Sequence, residues 1–169
     1  MKRPSSLLLG LSLAVAAAVP ASAAVGSPHF IKNASSASLS GSSRVCKFKE
    51  AGLPSGSVET VTCSATESIA YECVNGGGKN PSASNKKTFA TTASKTGQFT
   101  ADKNGNIVGT LTLAPASAAS LGFSCPPGQT VTLVSVSYSA VRVVDSTSGA
   151  SIAPPGTFTF TNPSAPPVR

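Results

Sequence analysis

The chain has 169 residues, a formal net charge of +7, 11% charged residues, two tyrosines and no tryptophan. One domain core fits that length, and the cations are scattered along the chain, without the basic stripe or stacking rings of a nucleic-acid binder. One histidine and four cysteines leave little material for a metal centre or a nucleophilic triad.

Met1-Lys-Arg3, the apolar run Leu7 to Val19 and Ala21-Ser-Ala23 form the charged start, hydrophobic middle and small-residue site of a secretory signal, with cutting expected after Ala23. The apolar run is too short to serve as a membrane span. The expected organisation is a signal over 1–23, one β domain over 24–162 and a disordered tail over 163–169, giving an extracellular protein with no membrane contact after cleavage.

Val25 to Ser35 opens the domain with Phe30 and Ile31 as a candidate edge strand, and Asn33-Ala-Ser35 is a glycosylation sequon in a host that has the machinery. Ser36 to Ser43 is a weak strand. In Arg44-Val-Cys-Lys-Phe-Lys49, alternation puts Cys46 and Phe48 on one face and Val45, Lys47 and Lys49 on the other. The turn-forming Gly52-Leu-Pro-Ser-Gly56 leads into a second run with Val61, Cys63 and Ala65 on its inward face. The two runs either pair as a hairpin or pass at a corner into a second sheet. In both cases Cys46 and Cys63 point into one core.

Glu67 to Val74 reads as a further strand, with Ile69, Tyr71 and Cys73 on one face. Asn75 to Lys87 is the longest polar loop. Phe89 to Ser94 and Gln98 to Ala101 resume strand character, and Asp102-Lys-Asn-Gly-Asn106 is expected to be a hairpin turn. Ile107, Gly109, Leu111 and Leu113 then alternate inward. Ala116 to Ser120 fits one helical turn. Thr130 to Asp145 has the strongest β signal and is long enough to bend, bulge or serve as two strands. Phe158 and Phe160 alternate inward on the last strand. Eight or so short strands spaced by Gly/Pro/Asn turns predict an all-β fold, an antiparallel β-sandwich of immunoglobulin-like type.

Four cysteines in an exported chain predict two disulfides, with three possible connectivities. Matched inward parity selects Cys46–Cys63, and Cys73–Cys125 is the remaining pair. No close C-x-x-C pairing supports a metal, and no cofactor is expected.

Candidate sites weigh against ordinary structural roles. His29 reads as a surface or edge-strand histidine. Hairpin pairing would bring Glu50 near Glu59, but beside a turn both are expected to be solvated, so paired-carboxylate hydrolysis is not favoured. Gly76-Gly-Gly-Lys79 lacks phosphate-loop spacing. Asp102 to Asn106 lacks the closing glutamate of a calcium loop. The feature retained is a ligand loop, Gly76 to Lys87, with Lys79, Lys86, Lys87 and neighbouring Tyr71. It would meet an anionic polymer, an acidic protein surface or a small molecule.

Ser27-Pro-His-Phe-Ile31, Tyr71-Glu-Cys-Val-Asn-Gly-Gly-Gly-Lys-Asn-Pro-Ser82 and Gly122-Phe-Ser-Cys-Pro-Pro-Gly-Gln129 resemble segments of small secreted, chiefly actinobacterial β proteins of unassigned function. The resemblance implies export and a compact β domain, and no catalytic residues. Ala51-Gly-Leu-Pro-Ser-Gly56, Thr100-Ala-Asp-Lys-Asn-Gly105 and Leu111-Thr-Leu113 are similar to bacterial immunoglobulin-like domains, including neocarzinostatin-type chromophore carriers. That likeness implies architecture only.

The expected function is a secreted, non-catalytic binding or structural protein. One alternative is a small-molecule carrier with a cleft lined by Gly109, Ala90, Ala93, Ser135 and Ser137, taken as small inward residues. The other is a hydrolase, or a hydrolase inhibitor presenting Gly122 to Gly128 as a loop braced by Pro126 and Pro127.

Overall fold

The structure, a computed structural model, describes residues 26–76 and 85–166. The expected signal, Lys79 and the last residues of the tail lie outside the described residues.

Two antiparallel sheets pack face to face. The first is built on β3 (Ser43–Ala51), which pairs along one edge with β1 (His29–Phe30) and β2 (Ser36–Ser40) and along the other with β6 (Ile107–Leu113). The second is built on β4 (Val58–Asn75), flanked by β5 (Lys86–Thr100) and β7 (Gln129–Asp145). The far edge of β7 carries β8 (Ser151–Ile152) and β9 (Phe158–Thr161). This is the all-β sandwich that the strand pattern predicts.

One open alternative is resolved and three expectations change. The Gly52 to Gly56 turn is a corner between sheets, because β3 pairs with β6 and β4 pairs with β5 and β7. Glu67 to Val74 is the second half of one 18-residue strand, and the two predicted pieces around Phe89 and Gln98 are one strand, β5. A long ladder between two long neighbours lets a strand run through Thr66 and Ser68 without a break. Asp102 to Asn106 turns as expected, with Asp102 Oδ1 accepting from the Asn104 and Asn106 N–H groups at 2.8 and 3.0 Å. It is not a hairpin, since it passes the chain from β5 in one sheet to β6 in the other. Gly105 has φ +71° and lies against the Leu53 carbonyl, where a Cβ would collide, so the turn locks onto the corner.

β7 explains why its sequence shows no single alternation. Register shifts fall between Ser64 and Thr66 and between Ala70 and Tyr71 of its partner β4, and each leaves one extra β7 residue. Ala140, with φ +49°, marks one of them. Each bulge flips the inward parity. Leu133 faces Tyr71, Val136 and Tyr138 face Ile69 and Glu67, and Val143 and Asp145 face Cys63 and Val61.

The core comprises Cys46, Phe48, Ile107, Leu111 and Leu113 from one sheet against Val61, Cys63, Ile69, Val136, Tyr138 and Val143 from the other. Full burial of Phe48 contributes about 2–3 kcal/mol. Cys46–Cys63 joins the two sheets with Cα atoms 6.5 Å apart, and Cys73–Cys125 ties the end of β4 to the segment before β7 at 5.6 Å. Both are pairs selected from sequence.

The Phe48 and Phe99 rings meet edge to face, centroids 5.0 Å apart, over Gly109. A Cβ at 109 would approach both rings more closely than real Cβ atoms come. Gly109→Ala is therefore expected to cost about 1–3 kcal/mol by overpacking. Chemical denaturation measures this, and unchanged stability would mean the ring pair shifts freely.

Candidate functional site: buried acids beneath a cationic surface

Five of the six acidic side chains, Glu50, Glu59, Glu67, Glu72 and Asp145, are buried. Only Asp102 is exposed. This corrects the expectation that Glu50 and Glu59 are solvated. Glu50 shares inward parity with Cys46 and Phe48 on β3, and Glu59 shares it with Val61 and Cys63 on β4. They come from opposite sheets and meet Asp145, at the end of β7, where the sandwich closes beside the corner.

Each of the three acids has one oxygen anchored and one left for the others. Ser148 Oγ donates to Glu50 Oε1 at 2.7 Å, Ser57 Oγ donates to Glu59 Oε1, and Thr147 N–H donates to Asp145 Oδ1 at 2.8 Å. Glu50 Oε2, Glu59 Oε2 and Asp145 Oδ2 are buried and have no other donor among the described residues. Burial, reinforced by Asp145, pushes the Glu50 carboxyl up to about 7. Burial pushes Glu59 up as well. For Asp145 burial acts upward too, but the Thr147 N–H that donates to it, with the polar groups of Ser148 and Glu59 beside it, holds it below the ordinary value. The arrangement sets one carboxylate, Asp145, beside two glutamic acids whose protons burial retains.

Glu67 forms a second buried centre. The Ala116 N–H donates to both its oxygens at 3.2 and 3.4 Å, Tyr71 OH donates to the Ala116 carbonyl at 2.7 Å, and Tyr138 OH donates to the Ser42 carbonyl at 3.0 Å. Burial raises the Glu67 carboxyl, and burial beside Glu67 raises both phenols. Every donor here is used in tying the 114–118 segment and the β2–β3 turn to the second sheet. Glu72 lies on the outer face of β4, opposite Lys86 and Thr132.

Of the expected ligand loop, positions 77–84, Lys79 among them, lie outside the described residues, and its described members Tyr71, Lys86 and Lys87 do not share one exposed face. Tyr71 is buried and stacks on Phe123 at 6.1 Å. Lys86 and Lys87, taken as loop residues, begin β5 and alternate to opposite faces of the second sheet. Lys87 lies over the Phe89 ring at 4.9 Å. Nor do the small residues of the carrier alternative line one cleft. The Phe48 and Phe99 rings fill the space at Gly109, while Ala90, Ser137 and Ser135 belong to the outer rows with Ser68 and Ala70. The β7 bulge between Leu133 and Ser135 turns Ser135 and Ser137 outward, and Ala90 is outward by alternation with Phe89 on β5. Phe123 and Cys125, within the candidate inhibitor loop, are held by Tyr71, Phe89 and Cys73. His29 is an exposed edge residue whose Nδ1 meets the Ser27 carbonyl at 2.8 Å.

With the acids inside, lysines dominate the outside. On the outer face of the first sheet Lys47 stands between Ser36 and Thr110, and Lys49 is opposite Val108. Lys32 follows Ile31, whose N–H donates to the Lys49 carbonyl at 2.8 Å just after β1, and Lys103 sits in the β5–β6 turn. Asp102, held low first by the Asn106 N–H and also by the nearby Lys49 charge, is the single exposed carboxylate side chain. Among the described residues no group of His, Cys, Asp and Glu is arranged to hold a metal ion, and no helix is long and apolar enough to cross a membrane. Two disulfides belong with an oxidising compartment. No protein family, curated protein or solved structure matches the chain.

Proposed function

We propose that this is an exported, immunoglobulin-like, non-catalytic binding module that holds an anionic polymer on the outer face of its first sheet. The observation that supports this reading is the partition of charge: five carboxyl groups are buried, and Lys32, Lys47, Lys49 and Lys103 are answered at the surface by Asp102 alone. The formal charge therefore understates the field a ligand meets. Successive outward residues of β3 are about 6.6–6.8 Å apart, so Lys47 and Lys49 offer a regular pair of charges to a polymer carrying repeated phosphate or carboxylate groups.

Long-chain polyphosphate is a suitable probe, titrated over a range of salt concentrations. Binding is expected to weaken linearly on a logarithmic salt scale as counterions are released, and Lys47→Gln with Lys49→Gln is expected to lower that slope by roughly 2. Full affinity and slope in the double variant would sink the assignment to this face. Loss on changing Lys86, Lys87 and Lys95 instead would move the site to β5.

A further inference from the structure

We propose that Arg44 is an oxyanion-binding residue, and that Phe158, on the short strand β9, is the cover that lifts to admit a phosphate or carboxylate group. Arg44 occupies an inward position of β3 between Leu39 and Leu113, and its side chain is fully buried. Its Cζ lies 3.2 Å from the centre of the Phe158 ring. Nε, Nη1 and Nη2 are all buried, and none has an acceptor among the described residues.

A guanidinium carries five donors, and the net cost of leaving them unmade in a desolvated site is large. The ring covers one face of the guanidinium plane and offers the charge a quadrupole. It cannot satisfy the N–H groups, which point outward within that plane. An oxyanion satisfies them two at a time, in the planar fork geometry that separates arginine from lysine. The acids do not serve: Glu50, Glu59 and Asp145 cluster at the other end of β3, and Glu67 is engaged by Ala116. Burial alone, unrelieved by a neighbouring carboxylate, pulls the guanidinium down to about 10.

The cover is built from weakly held chain. β9 has four residues and pairs only with β7. It follows an irregular segment containing Pro154, Pro155 and Gly156, and Phe158 itself is only half-buried. Few backbone bonds need break for the ring to move. The site is separate from the lysine face, so failure of either reading leaves the other standing.

The test is titration of the full protein with inorganic phosphate at constant ionic strength, with acetate in parallel, following the Arg44 Nε–H resonance and the melting temperature. Phosphate or acetate is expected to move that resonance saturably and to raise the melting temperature by several degrees, and the stronger responder identifies the oxyanion. Arg44→Met, which fills the space with an apolar chain, is expected to remove the anion-dependent rise. Phe158→Ala is expected to reach half-saturation at a several-fold lower concentration. An Arg44 resonance that neither anion moves overturns the proposal whether or not the variants fold. Equal anion-dependent rises in the wild-type protein and Arg44→Met overturn it as well, and an unchanged half-saturation in Phe158→Ala overturns the role of the cover.

Discussion

Replacing Cys73 and Cys125 together by alanine is expected to lower the unfolding free energy by about 4 kcal/mol, the entropy that closing a loop of this length removes from the unfolded chain. The bridge spans 52 residues, against 17 for Cys46–Cys63, whose removal by the same argument costs about 3 kcal/mol before any cavity cost is added. Native contacts point the same way. Cys125 anchors the segment that places Phe123 against Tyr71 and Phe89, and Tyr71 in turn holds the Ala116 carbonyl. Without the bridge these contacts depend on the 3-10 turn Ala119–Leu121 and a few hydrogen bonds. A domain of this size is stable by about 5–15 kcal/mol. Losing both bridges should therefore leave little of the folded state at 37 °C. Equilibrium urea unfolding measures each variant. A loss under 1 kcal/mol for the Cys73/Cys125 pair would show that the unfolded chain is already constrained there, or that the β4–β7 ladder supplies the restraint alone.

How far the sequence discloses this fold depends on parity. Where a strand keeps its alternation, as in β3 and β6, side-chain facing follows directly, and the Cys46–Cys63 bridge follows from it. The same parity carried further would have placed Arg44 and Glu50 in the interior, since both stand in step with Cys46 and Phe48. Expecting charge beside a turn to be solvated hid Glu50. β7 resists such reading, because two bulges reverse its facing and a bulge is fixed by the partner strand's register rather than by the bulged residues themselves. The corner after β3 was equally ambiguous: Gly52 and Gly56 permit either a hairpin or a crossing, and it is the partners in each sheet that decide. The acid cluster escaped for a related reason. Glu50, Glu59 and Asp145 are far apart in the chain and converge only because both sheets end at the same place.

That convergence makes stability depend on pH. The wild-type protein is expected to lose on the order of 2–3 kcal/mol between about pH 4.5 and pH 8, and Glu50→Gln is expected to lose much less. In the folded protein burial holds the Glu50 proton up to about pH 7, whereas an unfolded glutamate releases it near its ordinary value. Between those values the native state binds more protons than the unfolded chain, so the unfolding free energy falls as pH rises. Glu59 and Glu67, also raised by burial, act in the same direction. Asp145, held below its ordinary value, contributes the opposite slope at lower pH, where stability is lost as pH falls through its titration. The two slopes place the optimum on the acidic side of neutrality. Glutamine retains the shape of protonated Glu50: its carbonyl oxygen can accept from Ser148, and its amide places a neutral donor beside Asp145. Near pH 5 the variant should match the wild-type protein to within about 1 kcal/mol, the cost of an imperfect hydrogen bond. Above pH 7 it should be the more stable of the two. Denaturation midpoints measured across this range would decide. Parallel curves for the two proteins would show that Glu50 is already ionised at pH 5, and the account of Glu50 as a buried acid that keeps its proton would fall.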